Sequence, residues 1–520
     1  MPYTTIIIGS GAAGAILAAR LSEDSTRNVL LLEAGVDFPD PAHLPDAIKY
    51  SYGQNDMLWN KAFGVGTPYG WDYFAQGTPQ NQRFFVPRGK IVGGSTAVNA
   101  TIFLRGEVDD YDLWAAAGND HWSFEQLLPS FCKNERDLDF PDAPYHGNDG
   151  PIPAWRFKPE SWGAEHAALY DAARALGYSH CPDHNAPGAT GVGPHAHNNV
   201  DGIRGSTALG YLQPARHRPN LTIQGNSLVH RILFHEQRAI GVEVEQPNGL
   251  NVLYADEIIV SAGAIASPQL LLRSGVGPAD ELRLLDIPVI HDLPGVGKNL
   301  RDHPQAPMTL RTKAEVPLDL RVPRLQVGIR YTATGSHLRN DMSILTCSLA
   351  NEGAVLGSEP PIGFYLVPAL YLALSAGEVR LASTDPHVQP LLNYNYLAEP
   401  SDRQRFVEGV KICLDLLDHP AFRAIVAESI TPNADDIRSD AAIEQWLLRT
   451  VATSHHSSSS CKMGPASDPM AVVDQFGNVH GLAGLRVVDA SIMPDCIRAN
   501  TNVTTMVIAE RVAELIRNGD

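Results

Sequence analysis

The sequence predicts an α/β protein, α+β overall, in which a Rossmann-like dinucleotide-binding domain joins a second domain built on an antiparallel sheet with helices. Three observations carry this reading. Residues 5–35 read as a strand, a glycine-rich turn, a helix and a second strand in direct succession. Over 221–254 apolar residues alternate with polar ones, the period of a half-buried strand. Between 304 and 451 several short β runs precede a helical pattern. At 520 residues the chain exceeds one ordinary core and has room for about three domain-sized units.

Ile6, Ile7 and Ile8 form a β-branched run that stops at Gly9, and Gly9-Ser10-Gly11-Ala12-Ala13-Gly14 fits the pattern G-x-G-x-x-G. There the first glycine permits a tight turn, the second lets backbone approach a pyrophosphate, and the third lets helix and sheet pack closely. Phosphate charge would rest on the free N–H groups of a helix running from Ala12 to Leu21. A second strand, Val29 to Leu32, leads into Glu33 and Ala34. Glu33 stands 24 residues past Gly9, near the spacing of a carboxylate that accepts hydrogen bonds from an adenosine ribose. Its charge would repel a 2′-phosphate, which favours FAD or NAD over NADP. The plain alternative is a buried Ala/Gly-rich helix with no ligand.

Composition narrows the partners. Hydrophobic residues at 44% with charged residues at 19% are those of a folded globular chain. A net charge of −18 argues against nucleic acid or an anionic membrane as partner. Cys132, Cys181, Cys347, Cys413, Cys461 and Cys496 form no C-x-x-C pair, so they read as buried thiols of a reducing compartment. The first apolar run lacks a basic leader and is broken by the glycine turn, so it reads as a nucleotide-binding strand and not a secretory signal. No membrane span of about 20 apolar residues is expected. A cytoplasmic enzyme is the expectation.

Residues 59–85 are rich in Gly, Pro and aromatic side chains without a clear period, and read as a long excursion over the nucleotide domain. Gly93-Gly94 and the small polar residues after them let backbone approach a ring system closely. Over 141–197 the Pro and Gly content suggests a surface loop carrying His146, His180, His184, His195 and His197. With Cys181 nearby, the last three are conceivable metal ligands. Satisfied or solvated histidines are the simpler reading, and no metal is expected. The alternating run from Leu221 reads as a β-meander turning at Pro247-Asn248-Gly249, and 258–263 as a buried strand returning to the nucleotide sheet. Residues 294–303, punctuated by glycine, read as a domain boundary. Beyond them, β runs at 308–311, 326–331, 342–348, 362–367 and 378–382 and a helix after Asp402 suggest an antiparallel sheet with helices on one face. Phe364, Tyr365 and Tyr371 read equally as cavity lining or as sheet core.

The stretch 88–114, with Gly93-Gly94-Ser95-Thr96-Ala97-Val98-Asn99-Ala100 inside it, resembles the first signature of the glucose-methanol-choline (GMC) oxidoreductases, which oxidise alcohols with FAD. Gly263-Ala264-Ile265-Ala266-Ser267-Pro268-Gln269 resembles the second signature, and 456–510 the catalytic segment. Together these landmarks span nearly the whole chain. The resemblance implies that Gly94, Asn99, Ala100, Thr101 and Ile102 lie against the isoalloxazine ring and pyrophosphate. Val98 stands where choline oxidase carries the histidine bonded to its flavin, so non-covalent FAD is expected. Val229 is implied to offer its backbone to the adenine, although a core strand valine is equally compatible. Asp489 and Ala490 are implied to touch the ribityl chain and pyrophosphate. Asn502 and Val503 are placed at the flavin, and a helix over 504–516 would help stabilise the reduced, anionic ring.

In Thr453-Ser454-His455-His456-Ser457-Ser458-Ser459-Ser460-Cys461-Lys462-Met463-Gly464, aligning Met463-Gly464 on the family pattern puts His456 at the catalytic position. Asn500, 44 residues on, falls where the family carries its second active-site residue. An alkoxide gives up hydride more readily than an alcohol, so the chemistry needs a proton acceptor such as imidazole and a hydrogen-bond donor to the oxygen. Ser459 and Ser460 depart from the family's usual Gly-Thr. His455 joins Phe364 and Tyr365 as a candidate substrate-cavity residue. A serine-hydrolase reading fails because no G-x-S-x-G elbow is present.

The expected organisation is an FAD-binding domain from 1–155, 201–302 and 452–520, a substrate domain at 303–451, and an insertion at 156–200 contributing to it. The expected activity is oxidation of a primary alcohol to the aldehyde, or onward to the acid, with molecular oxygen or another electron acceptor. The landmarks look most like 5-hydroxymethylfurfural-oxidase-like and choline-dehydrogenase-like bacterial members. An aromatic or furanic alcohol oxidase is the first reading, and a choline-dehydrogenase-like enzyme with a non-oxygen acceptor the alternative. A hydroxynitrile lyase on the same fold and a flavin-binding sensory protein remain as other classes.

Overall fold

A computed structural model describes residues 3–53, 61–62, 64–81, 83–352 and 360–519. Ten elements build the nucleotide side: β1 (Tyr3–Ile8), α1 (Ala12–Leu21), β2 (Val29–Leu32), β3 (Leu221–Gln224), β4 (Leu228–His235), β5 (Arg238–Gln246), β6 (Gly249–Val260), α2 (Gly263–Arg273), β7 (Leu485–Val487) and α3 (Thr501–Asn518). Strands β3, β2, β1, β6 and β7 lie side by side, all parallel. Their apolar runs, Ile6-Ile7, Leu30-Leu31 and Ile258-Ile259, are fully buried, as strands covered on both faces must be. Helix α1 packs on α3. A Cβ added at Gly14 would stand 1.9 Å from the Gly9 carbonyl oxygen, so only glycine lets α1 sit this close to the strand.

Strand β6 belongs to two systems. Its first half pairs antiparallel with β5, which pairs with β4, while its second half runs parallel between β1 and β7. The meander expected from 221 onward is therefore β4, β5 and β6. Leu221–Gln224 instead forms the edge of the parallel sheet beside β2, because four residues of alternating pattern do not specify a partner.

The second sheet is antiparallel throughout, in the order Val426–Thr431, Met308–Thr312, Gly363–Leu370, Met342–Ala350, Val327–Tyr331 and Gly191–Pro194. Helices Ala164–Ala175 and Pro400–Leu417 pack against its strands. Side-chain period two then divides each strand. Ile344, Phe364 and Leu366 enter the large core that includes residues of these helices, and Leu345, Cys347, Tyr365 and Val367 turn to the other face.

Two expectations are corrected. The excursion over 59–85 contains a regular hairpin, Gly70–Ala75 with Phe84–Gly89, whose aromatic residues alternate across its faces; Trp59 lies outside the described residues. The segment 141–197 is no surface loop: it supplies Ala164–Ala175 and an edge strand of the second sheet, and His146, His184, His195 and His197 are buried, with only His180 exposed. Several glycines there mark close packing rather than exposure. A Cβ at Gly193, for example, would meet the Cys181 carbonyl oxygen at 1.6 Å.

Candidate active site

A cavity of about 520 Å³ opens at the carboxyl ends of β1 and β2 and runs to the free face of the antiparallel sheet. Ligands of parallel α/β sheets sit at such ends. Gly9, Gly11, Ala12, Ala13, Glu33, Ala34 and Val229 line its nucleotide end. Gly94, Asn99, Ala100, Thr101, Ile102, Asp489, Ala490 and Asn502 also line it, as do His455, His456, Asn500, Tyr365 and Tyr371. Three predicted site residues do not. Gly14 acts one layer down, through the helix–strand approach. Val503, on α3, is buried in the hydrophobic core at 1% exposure. Phe364 faces away from the cavity and packs on Phe422, ring centroids 6.0 Å apart, because Tyr365 beside it takes the cavity face.

The nucleotide end is held by its own backbone. Glu33 accepts from the Ser10 N–H at 3.0 Å, the Ser10 hydroxyl at 2.7 Å and the Gly35 N–H at 2.9 Å. Burial raises its pKa, and these bonds oppose the rise. The second glycine loop presses on the first: a Cβ at Gly94, where φ is +52°, would stand 2.6 Å from the Gly11 Cα. Thr101 is β-branched yet sits at φ 63°. It is held there by Asn99 Oδ1 on its N–H, by the Asn198 N–H on its carbonyl and by Asn199 Nδ2 on its hydroxyl. Strain over-determined in this way marks a functional loop.

At the other end His456 is fixed by residues from two other segments. His456 Nε2 lies 2.9 Å from Asn500 Nδ2, and His456 Nδ1 lies 2.8 Å from His303 Nδ1. His303 Nε2 is 2.7 Å from the Ile497 carbonyl oxygen. A carbonyl only accepts, so His303 carries its proton on Nε2 and offers a lone pair at Nδ1. His456 must then donate from Nδ1, which leaves the lone pair on Nε2, the atom beside Asn500. Burial holds both imidazoles below their ordinary pKa, and His303, His455 and Arg88 push His456 further down. His456 is thus a neutral imidazole whose tautomer is set by hydrogen bonds.

Asp302 supports the pair from below. Its Oδ1 accepts the backbone N–H of His303 at 2.8 Å and of His456 at 2.9 Å. Its Oδ2 accepts from Tyr396 at 2.6 Å and from the Thr453 hydroxyl. Ser457, next to the base, receives Arg88 Nη2 at 2.7 Å and meets the Tyr394 hydroxyl at 2.5 Å. His455 lines the cavity at φ 69°, its pKa lowered to about 3 by burial and then Arg88. Sequence reasoning missed Asp302 and His303 as site residues. They close the boundary motif 294–303, but their contact with His456 spans 153 residues of chain.

The lining fits FAD. Asn500 Oδ1 and Asn502 Nδ2 are buried without a hydrogen-bond partner, which is costly unless a polar ligand supplies one. Asp489 accepts from the Gly263 N–H at 2.8 Å and the Ser491 N–H at 2.7 Å, which orders the backbone at the start of α2 along the cavity. Val98 is 3% exposed and offers no nucleophile.

Comparison with known proteins gives concordant results. A family model described as GMC oxidoreductase matches residues 3–305, and its C-terminal companion matches 373–509. The chain is 36% identical to an oxygen-dependent choline dehydrogenase of Paraburkholderia xenovorans, with 99% of this chain and 94% of that one covered. It is 37% identical to the protein of that name from Klebsiella pneumoniae, with 99% and 96% covered. Among solved structures, pyridoxine 4-oxidase from Mesorbium loti superposes with a TM-score of 0.89 at 28% identity, covering 99% of each chain.

Proposed function

The chain belongs to the GMC oxidoreductase family and is an FAD-dependent alcohol oxidoreductase, and on that premise we propose that it converts a primary alcohol to the aldehyde with His456 as the base. One observation carries the assignment of roles: the Nε2 lone pair of His456, set by the His303 relay, is directed into the cavity beside Asn500. FAD bound in this cavity supplies a hydride acceptor at N5. The hydroxyl of an alcohol placed between His456 and Asn500 loses its proton to Nε2 as the hydride leaves its carbon. Asn500 Nδ2, which now donates toward Nε2, donates equally well to the oxygen as it becomes negative. Asp302, through two backbone N–H groups, keeps both imidazoles in register. Val98 supports dissociable FAD.

On the substrate, the names of the relatives favour a choline-dehydrogenase-like enzyme over the aromatic or furanic alcohol oxidase expected from the sequence. Tyr365 and Tyr371 offer aromatic faces of the kind that attract a quaternary ammonium. One observation keeps a neutral alcohol as second reading. Arg88, which donates to Ser457 beside His456, lines the cavity with the apolar Leu345, Val367 and Ala369, while Glu33 and Asp489, which also line it, accept from backbone N–H groups. A cation beside Arg88 would meet like charge.

Anaerobic stopped-flow absorbance near the oxidised-flavin band, with choline and with benzylic, furanic and aliphatic alcohols, tests both. Bleaching by choline alone supports the first reading, and bleaching by neutral alcohols alone the second. No bleaching by any alcohol would remove alcohol oxidation itself. Admission of air then separates oxygen from another acceptor by the speed at which the colour returns.

A further inference from the structure

Outside the active site, two histidines and a glutamate converge at the nucleotide end of the cavity. His230 Nε2 lies 2.8 Å and His387 Nε2 2.9 Å from the same oxygen, Glu245 Oε2, and all three ligand atoms lie within 4.8 Å of one another. They come from separate segments: His230 from β4, Glu245 from β5, His387 from the loop before Leu391–Asn393. Their placement is built. The β4–β5 register slips between Val229 and Arg231, so His230 occupies a bulge, a device that re-aims a side chain. The loop bearing His387 is tied on both sides of it. Gln389 brackets the Phe74 backbone, accepting from its N–H at 2.9 Å and donating to its carbonyl at 3.0 Å. Asp385 accepts the His387 N–H at 2.9 Å.

Two imidazoles and one carboxylate are a donor set that suits Zn²⁺, with water in the fourth position. Side-chain exposures of 18% for His230, 43% for Glu245 and 58% for His387 leave that position open. Ligand atoms ~2.1 Å from a tetrahedral centre stand roughly 3.4 Å apart, so the cluster opens by about half an ångström, within reach of side-chain rotation. Each imidazole moves its proton to Nδ1 and binds through Nε2, and the carboxylate offsets half of the ion's charge.

We propose that His230, Glu245 and His387 form a Zn²⁺ site that clamps the nucleotide end of the cavity. Val229, beside His230, and Pro386, Val388 and Gln389, around His387, line the cavity. A bound ion ties β4 to this loop and so retards exchange of the cofactor; this consequence rests on FAD occupying the cavity.

The test is calorimetric titration of the FAD-loaded enzyme with Zn²⁺ alone, at a pH near 7.5. The expected result is one ion per chain, with binding about 10-fold or more weaker in His387→Ala and in His230→Ala. Both side chains are at or near the surface, and far-ultraviolet circular dichroism and flavin absorbance verify that the variants fold. A second readout, the recovery of FAD fluorescence on dilution, should slow with Zn²⁺ in the unaltered enzyme and not in His387→Ala. Absence of saturable binding, or equal binding by the unaltered enzyme and both variants, overturns the site. Tight binding with unaltered FAD release overturns the clamp. Neither result bears on alcohol oxidation, which flavin bleaching by substrate reads separately.

Discussion

Two buried clusters of titratable side chains in this molecule look alike on paper and behave oppositely. In the first, His456 meets His303 and Asn500, and in the second His146 meets Glu135 at 2.5 Å and Asp183 at 2.9 Å. Burial lowers the pKa of both histidines, but for His146 the bonds to Asp183 and Glu135 outweigh burial and the pKa rises. Both nitrogens of His146 face carboxylates, so the ring is protonated and has no lone pair to offer. Arg105 pairs with Glu135 at 2.5 Å, and Arg156 pairs with Asp137 at 2.9 Å and Asp183 at 2.5 Å. Three carboxylates thus face three cations, so the charges within the cluster balance. The His146 cluster is closed on itself by ion pairs, whereas His456 Nε2 lies at the cavity with only a neutral amide, Asn500, as its neighbour.

Four experiments break or sharpen this contrast. The largest effect is expected for His456→Ala, which should slow flavin reduction by roughly 10²- to 10⁴-fold while FAD stays bound; rapid-mixing absorbance measures it. His146→Ala should do the reverse. It leaves buried carboxylates without their cation and should cost ~3–5 kcal/mol of stability in denaturant titration, with the reduction rate per bound FAD unchanged. His303→Phe removes the acceptor that fixes the tautomer of His456 and leaves a donor unpaired at ~1–3 kcal/mol, which is about 5- to 160-fold in reduction rate. His303→Gln, whose amide oxygen accepts the same proton, should recover most of that loss; equal loss in both would mean that His303 only fills space.

The smallest effects are in pH. Because burial, His303, His455 and Arg88 all lower the pKa of His456, the acid limb of the reduction rate should lie below 6.5. Stability should respond in the same range for a separate reason. His166 and His184 are lowered to about 4 and His197 to about 3, in each case chiefly by burial. Their neutral forms are favoured in the fold, so below pH 6.5 the unfolded chain binds more protons. Thermal midpoints should fall progressively from pH 6.5 toward 4. A flat midpoint across that interval would show that these histidines stay solvated.

Much of the nucleotide side was legible because its signals are local. The strand, turn and helix of 5–35 occupy consecutive residues, and backbone demands at Gly9, Gly14 and Gly94 admit few side chains, so pattern and geometry coincide. The core of 141–197 was not legible, since glycines mark both loops and tight backbone contacts, and only the packed neighbours distinguish them. Phe364 and Tyr365 show the same limit at a single step: adjacent aromatic residues on a strand must face opposite ways, and composition does not say which face holds the cavity.

By itself the sequence determined the dinucleotide fold, because it follows from local backbone requirements, and it was resemblance to the family pattern that singled out His456 and Asn500. Only the tertiary structure decided that His303 and Asp302 hold the base, that His456 is neutral with its lone pair on Nε2, and which histidines are locked in ion pairs. Each depends on contacts across scores or hundreds of residues, and the protonation state of a buried imidazole is set by what surrounds it rather than by its neighbours in the chain.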